Sequence, residues 1–398
     1  MRTYCVSLAP LGPRTEPRGV PALDTSDRTR RGYALFALFF KTVTLPPMDN
    51  KNNNKQIVWA LVSLLLAVMS IWAVLSQSKD MSFSDLVAAL FACHPIWLLL
   101  ALACMFGYIG FEGLIIWYML RHCGYERRVG QGVLYAASDI YCAAITPSAT
   151  GGQPVCAWFM LRDGIPMGFI TAILALYLIF HTFATLIIGF LTVFLNPASF
   201  GSLSIWAKLL VILGYLTVTG LAVLFICLLK KAAMIQRIGN RIIDWLTRKG
   251  WVKQTQYWKD RLAKVLSDYS SCLTVIRNRQ VYIVLFVLAL LQRLSQTVVP
   301  VLVYLAQGGQ FRHSGQVFAS QIYSSIGSMC MPVPGGMGIA DYLLFTGLRS
   351  FLDKEAALQL ELLSRSCSFY LCVFLSLVIV LIGYIKRHHI YFSVHKGK

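Results

Sequence analysis

Long apolar runs alternate with short polar stretches from residue 57 almost to the end of the chain. A helix needs about 20 apolar residues to cross a membrane, and six runs are that long. They lie at about 57–76, 96–120, 167–195, 205–229, 281–306 and 363–385. Two further apolar stretches, at about 131–162 and 314–350, are each interrupted near the middle by proline and glycine. The pattern predicts an all-α integral membrane protein with eight or so membrane segments.

The two interruptions have similar composition. Residues 146–154 read TPSATGGQP, and residues 331–338 read MPVPGGMG. Proline removes a backbone donor and Gly-Gly is a weak helix former, so neither stretch is one continuous helix. Two interpretations remain open at this point: each stretch is a re-entrant hairpin, or each is a kink or an extramembrane turn.

Composition narrows the class of protein. Of the 398 residues, 57% are hydrophobic and 13% are charged, whereas soluble domains carry about 25% charged residues. This excludes an ordinary water-soluble enzyme, a disordered chain and a secreted disulfide scaffold. The formal net charge of +19 fits either nucleic-acid binding or the positive-inside rule of a polytopic membrane protein.

The location of the basic residues favours the membrane. Residues 230–279 contain twelve Lys or Arg against three Asp, and the segments 1–55 and 386–398 are also strongly basic. All three stay on the cytoplasmic side only if both interrupted stretches enter the membrane and return. The prediction is six full spans plus two re-entrant hairpins, with the net acidic segment 350–362 as the connection between the second hairpin and the last span. Each half then runs span, span, hairpin, span, with the second half inverted, which is a transporter signature.

The domain organisation follows from the same pattern. Residues 1–55 are predicted to be a disordered, basic cytosolic tail, with Met48 as an alternative true start, and residues 56–390 form the membrane domain. The loop 230–279 mixes Lys and Arg with Trp and Tyr, which fits amphipathic helices on an anionic leaflet. RNA binding lacks any supporting motif in this loop, so nucleic acid is not favoured as a partner.

The hairpin tips are candidate sites for an anionic head group. At each tip the free N–H groups of a half-helix would point into the membrane, and glycine would let a phosphate approach the backbone. The candidates in the first tip are Thr146, Pro147, Thr150, Gly151, Gly152 and Gln153. Those in the second tip are Pro332, Pro334, Gly335, Gly336 and Gly338.

Charged and polar residues within the apolar segments are the other candidates, because burying them in a bilayer is expensive. Arg293 lies well inside 281–306, with Gln296 on the same helical face. Glu112, Asp139, Asp341 and His181 are the remaining candidates, and Arg365 is predicted to open the last span. The alternative is structural pairing, of Arg293 with Glu112 or with Asp341, and His181 is interpreted first as structural.

The chain carries no motif for a metal or cofactor. Its eleven cysteines form no CxxC pair, and no His-x₃-His spacing occurs, so we expect no metal site, no cofactor and structural cysteines. A nucleotide-binding loop is also missing from the sequence, which argues against ATP coupling. Proton coupling and passive scrambling both remain open, as does the oligomeric state.

The two interrupted motifs resemble a known family. Residues 146–154, followed by LRDGI at 161–165, are similar to the first signature of the lysylphosphatidylglycerol synthase transmembrane family, and residues 332–339 to its second. The family often has Glu where Asp341 stands. The resemblance implies a membrane domain that moves lysyl-phosphatidylglycerol between leaflets. In bifunctional members a separate cytosolic aminoacyltransferase makes that lipid, and the loop 230–279 is too small for such a domain.

We therefore expect a lipid translocase of the bacterial inner membrane, with both termini cytoplasmic, for an anionic or lysylated phospholipid. The tips and Arg293 would hold the phosphate, and Glu112, Asp139 or Asp341 a cationic lysyl group. The alternative is a phosphatidylglycerol lysyltransferase that uses lysyl-tRNA, alone or with a partner aminoacyltransferase.

Overall fold

The computed structural model describes residues 90–396 apart from 147–148, 231, 250–254, 332 and 337. The tail 1–55, the alternative start at Met48 and the first predicted span, 57–76, lie outside the described residues. Within them the regular elements are helical and no strand occurs. The numbered helices are α1 (Pro95–His122), α2 (Val129–Ile145), α3 (Gly152–Arg162), α4 (Met167–Leu195), α5 (Ile205–Lys230), α6 (Ala232–Arg248), α7 (Thr255–Ile276), α8 (Arg279–Ala306), α9 (Ser314–Ser328), α10 (Ile339–Leu348), α11 (Lys354–Arg365) and α12 (Leu371–Lys396).

Five stretches of helix in the described residues are long and apolar enough to cross a membrane. They are α1, α4, α5, α8 and the continuous segment Lys354–Ile385, and they match five of the six predicted spans. Large apolar side chains are exposed on them, among them Phe190, Phe194 and Leu216. Exposed apolar surface of this extent suits lipid better than water. The predicted all-α membrane fold is therefore confirmed for the part of the chain that the structure describes.

The last span begins earlier than predicted. α11 begins at Lys354 and runs through a π-helical turn, Ser366–Tyr370, into α12, whereas the prediction began at about 363 and left 350–362 as an acidic loop. Arg365 accordingly lies inside the helix, and the prediction that it opens the span is wrong. The net charge of the segment hid a helical spacing of buried side chains, Ala357, Leu360 and Ser364.

α2 and α3 pack against each other as a helical hairpin. At the open end, Arg127 and Tyr135 both donate hydrogen bonds to Asp163. Toward the tip, Gly152 lies against Asp139. Because residues 127 and 163 are brought together, the chain reverses direction at the tip, and 131–162 form a helical hairpin as predicted. That this hairpin enters the membrane and returns to the same side stays a prediction.

α9 and α10 form the second hairpin. Ser324 Oγ donates to the carbonyl oxygen of Ala340 at 2.6 Å, and Gly347 lies against Ser320. At the open end the rings of His313 and Phe351 stack with their centroids 5.5 Å apart. The contacts pair earlier residues of α9 with later residues of α10, which is the antiparallel arrangement predicted for 314–350.

The two hairpins meet around a central pair of spans. α8 packs along α1 and also contacts α4, while the turn Pro334–Gly336 at the second tip contacts α2 of the first hairpin. In the described chain the order span, hairpin, span occurs twice, once over α1 to α4 and once over α8 to α12. α5, α6 and α7 connect these two parts. Polar side chains on α1, α2, α4 and α8 are thereby brought into one interior region.

Candidate functional site

A cluster of buried polar side chains lies between α1, α2, α4 and α8. Glu112 is 1% exposed, Gln292 is fully buried and Arg293 is 4% exposed. Asp139 is buried as well. Polar groups of this kind inside an apolar bundle are costly unless they are paired or bind something. Their contacts with one another identify which of these groups are satisfied within the described chain and which are left for a ligand.

Gln292 of α8 is the centre of the hydrogen-bond network. Its Nε2 donates to Glu112 Oε2 at 2.7 Å and to the Tyr177 hydroxyl at 3.1 Å. Its Oε1 lies 3.4 Å from His181 Nδ1, which is the donor because an amide oxygen only accepts. Gln292 is not among the site residues predicted from the sequence, although a polar amide next to Arg293 in an apolar helix is a recognisable signal. His181 is placed in the cluster, one contact away from Glu112.

Asp139 connects this network to the first hairpin tip. Its carboxyl group lies close enough to that of Glu112 for the two to interact. Asp139 Oδ2 also accepts a hydrogen bond from Gln153 Nε2 at 2.8 Å. Glu112 Oε1, by contrast, has no hydrogen-bond partner within the described chain. Two carboxyl groups predicted separately from the sequence are thus neighbours, 27 positions apart in the chain.

Arg293 is the cation of the cluster, and it is incompletely paired. One guanidinium nitrogen donates to Gln296 Oε1 at 2.8 Å, as the shared helical face predicted. Its Nε and its second terminal nitrogen have no partner among the described residues. The structural pairs considered for Arg293 are not formed, because Glu112 is bonded by Gln292 and Asp341 is paired elsewhere.

The two free donors of Arg293 have a specific geometry. Nε–H and the outer N–H of a guanidinium point in parallel and bind two oxygens of a phosphate or carboxylate at once. A buried donor without a partner costs about 1–3 kcal/mol, and more when it is charged. An anion that enters this site would recover that cost. Tyr108 and Tyr177 lie near the guanidinium and are the neighbours that such an anion would meet.

The side chains of the first tip mainly hold the tip together. Thr146 Oγ1 accepts from the Gly151 N–H at 2.9 Å and donates to the Cys142 carbonyl at 2.7 Å. Gln153 is bonded to Asp139, as described above, and Thr150 is exposed. α3 begins at Gly152 without a side-chain cap, so its first turn presents backbone N–H groups. Pro147 lies outside the described residues.

The second tip is held by an ion pair. Asp341 accepts the Gly338 N–H at 2.7 Å and pairs with Arg365. Arg365 also donates to the Gly335 carbonyl oxygen at 3.3 Å. Gly335, Gly336 and Gly338 all have positive φ angles, which only glycine adopts without strain. Pro334 lies in this turn, while Pro332 is not among the described residues.

Asp341 is therefore separate from the Glu112 cluster, and a further carboxyl group lies beside it. Glu361 of α11 is 4% exposed and interacts with Asp341 and Arg365. Glu361 is not among the predicted site residues, because the acidic segment 350–362 indicates a connection outside the membrane. No group of three His, Cys, Asp or Glu side chains suited to a metal ion is found in the residues that the structure describes.

One protein family matches most of the chain, including the two hairpins and the buried polar cluster. The family model described as "Lysylphosphatidylglycerol synthase TM region" matches residues 59–376, which include both hairpins and every residue of the Glu112 cluster. A search of curated proteins finds no match.

Proposed function

The chain belongs to the lysylphosphatidylglycerol synthase transmembrane family, and from this premise we propose that it moves a phospholipid between the two leaflets of its membrane. The lipid is one whose head group carries both a phosphate and an ammonium group, such as lysyl-phosphatidylglycerol. The membrane would be the bacterial inner membrane, with both termini on the cytoplasmic side.

The observation that supports the proposal best is the incomplete pairing of the Arg293 guanidinium, whose two parallel N–H donors form an open fork. Its Nε and outer nitrogen lack partners while the side chain is 4% exposed. A lipid phosphate offers the two oxygens that such a fork binds. Tyr177 lies near this guanidinium and shares the Gln292 amide with Glu112, so a head group bound at Arg293 would lie close to the carboxyl groups.

The carboxyl groups supply the other half of the recognition. Glu112 Oε1 is a buried acceptor with no partner in the described residues, and Asp139 lies beside it. An ammonium group on the same head group would be neutralised by this pair while the phosphate binds Arg293. Acyl chains would stay in the bilayer, against the apolar outer faces of the spans.

A transport assay tests the proposal directly. Purified protein in vesicles that contain fluorescent or lysylated phosphatidylglycerol is expected to exchange the lipid between leaflets. Arg293→Ala should slow the exchange by at least about tenfold, because a phosphate would lose two charge-assisted hydrogen bonds. Arg312→Ala is the matched control, since Arg312 is an exposed cation in a loop turn.

The same preparation distinguishes lipid transport from the alternative enzymatic activity. A phosphatidylglycerol lysyltransferase, alone or with a partner aminoacyltransferase, would transfer lysine from charged tRNA to the lipid. Absence of leaflet exchange together with such transfer would overturn the proposal.

We further propose that the loop between the halves lies on the anionic leaflet. α6 exposes Ile238, Ile242 and Trp245 at helical spacing, and Lys249 lies over the Trp245 ring at 4.5 Å. Exposed Arg237, Arg241 and Arg248 follow alongside this stripe. An apolar stripe bordered by cations is the pattern of a helix at the surface of an anionic membrane.

A further inference from the structure

We propose that the Glu112–Asp139 pair holds an exchangeable proton, and that the lipid ammonium and this proton occupy the pair alternately. Lipid movement would then be coupled to proton movement in the opposite direction. The inference rests on the proposed lipid transport and adds its energy source. The inference is based on two buried groups that have no hydrogen-bond partner among the described residues: Glu112 Oε1, and the Nε and outer nitrogen of Arg293.

The charges of the pair require a compensating cation. Two ionised carboxyl groups that lie side by side in a buried site repel each other strongly, because little water is present to screen them. Neither Glu112 nor Asp139 forms an ion pair within the described part of the chain, where the ion pairs are Lys259–Asp244 and Arg365–Asp341. Arg293, in the same cluster, offsets one of the two carboxylate charges. An empty site therefore needs one proton on the pair, and the same charge is supplied by an ammonium group when the lipid is bound.

The hydrogen bonds fit a pair that gains and loses a proton in place. Gln292 donates to Glu112 Oε2, and Gln153 donates to Asp139 Oδ2. Both hydrogen bonds are donated by a side-chain amide to a carboxyl oxygen. They are compatible with an ionised or a protonated carboxyl group, since each uses that oxygen as an acceptor. One oxygen of each carboxyl group is thereby held in position. Glu112 Oε1 accepts from no donor among the described residues, so it is the oxygen at which a proton shared with Asp139, or the ammonium, would be held.

The other titratable groups around the pair come from every helix packed on it. Tyr108 lies on the same helix as Glu112, Cys142 on α2, Cys156 on α3, Tyr177 and His181 on α4, Arg293 on α8 and Cys372 on α12. An arginine stays charged, and tyrosine and cysteine groups are neutral in their ordinary range. Among the described residues around the pair, His181 is the other group that could carry the proton, so the experiment includes it.

The exchange balances in charge. When the head-group ammonium binds between the two carboxylates, one proton leaves the pair to the water on that face. When the ammonium leaves on the other face, one proton returns to the pair from that side. Lysyl-phosphatidylglycerol has two ammonium groups and one phosphate, so its net charge of one equals the charge of the proton exchanged.

Vesicles with an imposed pH gradient and a trapped pH-sensitive dye test the coupling. At one-to-one exchange, one pH unit should bring the wild-type protein to an about tenfold excess of lysyl-phosphatidylglycerol in the leaflet on the acidic side. The dye should report proton movement only when this lipid is present. Glu112→Gln and Asp139→Asn should each abolish both responses, whereas Glu355→Gln, on an exposed carboxyl group of α11, should keep them.

Three outcomes contradict the inference. The first is wild-type lipid movement with the same leaflet ratio in the presence and absence of the gradient, which leaves lipid transport standing and removes only the coupling. The second is loss of the response in His181→Gln with a full response in the two carboxyl variants. The third, no lipid movement by the wild-type protein, removes the proposed function as well.

A binding measurement covers the case in which the carboxyl variants do not fold. Wild-type protein in weakly buffered detergent is mixed with lysyl-phosphatidylglycerol micelles that contain a pH indicator. Release of about one proton for each lipid bound is expected from the exchange. Lipid binding without proton release would overturn the inference.

Discussion

Gly152 lies so close to Asp139 that a Cβ atom at position 152 would stand 2.1 Å from Asp139 Oδ1. The next residue, Gln153, donates to the other oxygen of the same carboxyl group at 2.8 Å. The first turn of α3 and the carboxyl group in the middle of α2 are thus one packed unit. The position of Asp139 relative to Glu112 depends on this contact, so substitution of the glycine should affect both folding and transport.

Gly152→Ala is expected to destabilise the protein by about 1–3 kcal/mol, the usual range when a methyl group is forced into a packed interior. The change should also reduce lipid exchange by each folded molecule, because Asp139 must move. Thermal unfolding in detergent and the vesicle assay measure the two effects. Gly110→Ala in α1, where a Cβ would meet nothing within 4 Å, should leave both unchanged. Equal behaviour of the two variants would contradict the packing argument.

Arg365→Ala is expected to destabilise the second tip. The substitution leaves Asp341 without its ion-pair partner and removes the hydrogen bond to the Gly335 carbonyl oxygen. Because both side chains are partly exposed, we expect a loss of about 1–3 kcal/mol, which is less than for a fully buried pair. Arg349→Ala, at an exposed position at the end of α10, is the control in an unfolding measurement. An unchanged unfolding free energy in Arg365→Ala would argue against this role.

Charge reversal on α6 is expected to weaken its contact with the membrane. In nanodiscs with anionic lipid, amide hydrogens of 232–248 should exchange slowly, and exchange should speed up as salt screens the attraction. Replacing Arg237, Arg241 and Arg248 together by Glu should remove this protection, while Arg312→Glu should not. Equal protection in nanodiscs of neutral lipid would contradict the choice of an anionic leaflet.

Mild oxidation is expected to join Cys123 and Cys272, whose sulfur atoms lie 3.3 Å apart at the end of α1 and in α7. The hydrogen bond from the Cys272 thiol lowers the pKa of Cys123 and raises the pKa of Cys272. Cys123 therefore becomes the attacking thiolate at a lower pH than an ordinary thiol. The rate of disulfide formation should rise with pH through this lowered pKa and then level off.

Mass spectrometry of the cross-linked peptides after treatment with diamide measures that rate. Cys123→Ser and Cys272→Ser should each abolish the cross-link. A cross-link between Cys123 and any other cysteine in the wild-type protein would show that this sulfur pair does not react as placed.

Both hairpins were predictable because they depend on local features. Proline and glycine at 146–154 and 331–338 exclude a continuous helix whatever surrounds them. The basic loop at 230–279 favours an arrangement in which each interrupted stretch turns back, because only then do the basic segments share one side of the membrane. The face shared by Arg293 and Gln296 also follows from helical spacing alone. The start of the last span was not predictable in this way, because the charges of 350–362 indicated a loop where packing buries Glu361.

The sequence by itself determined the class of the protein, the approximate positions of five membrane spans, the two helical hairpins and the family resemblance, because apolar length, helix-breaking residues and charge are properties of short segments. The tertiary structure decided which polar groups meet. Gln292 bonds to Glu112 across 180 positions of the chain, and Arg365 rather than Arg293 neutralises Asp341. Those pairings depend on which helix faces pack together, and a single segment carries no information about its neighbour. For that reason the open fork of Arg293, on which the proposed function depends, became visible only in the folded protein.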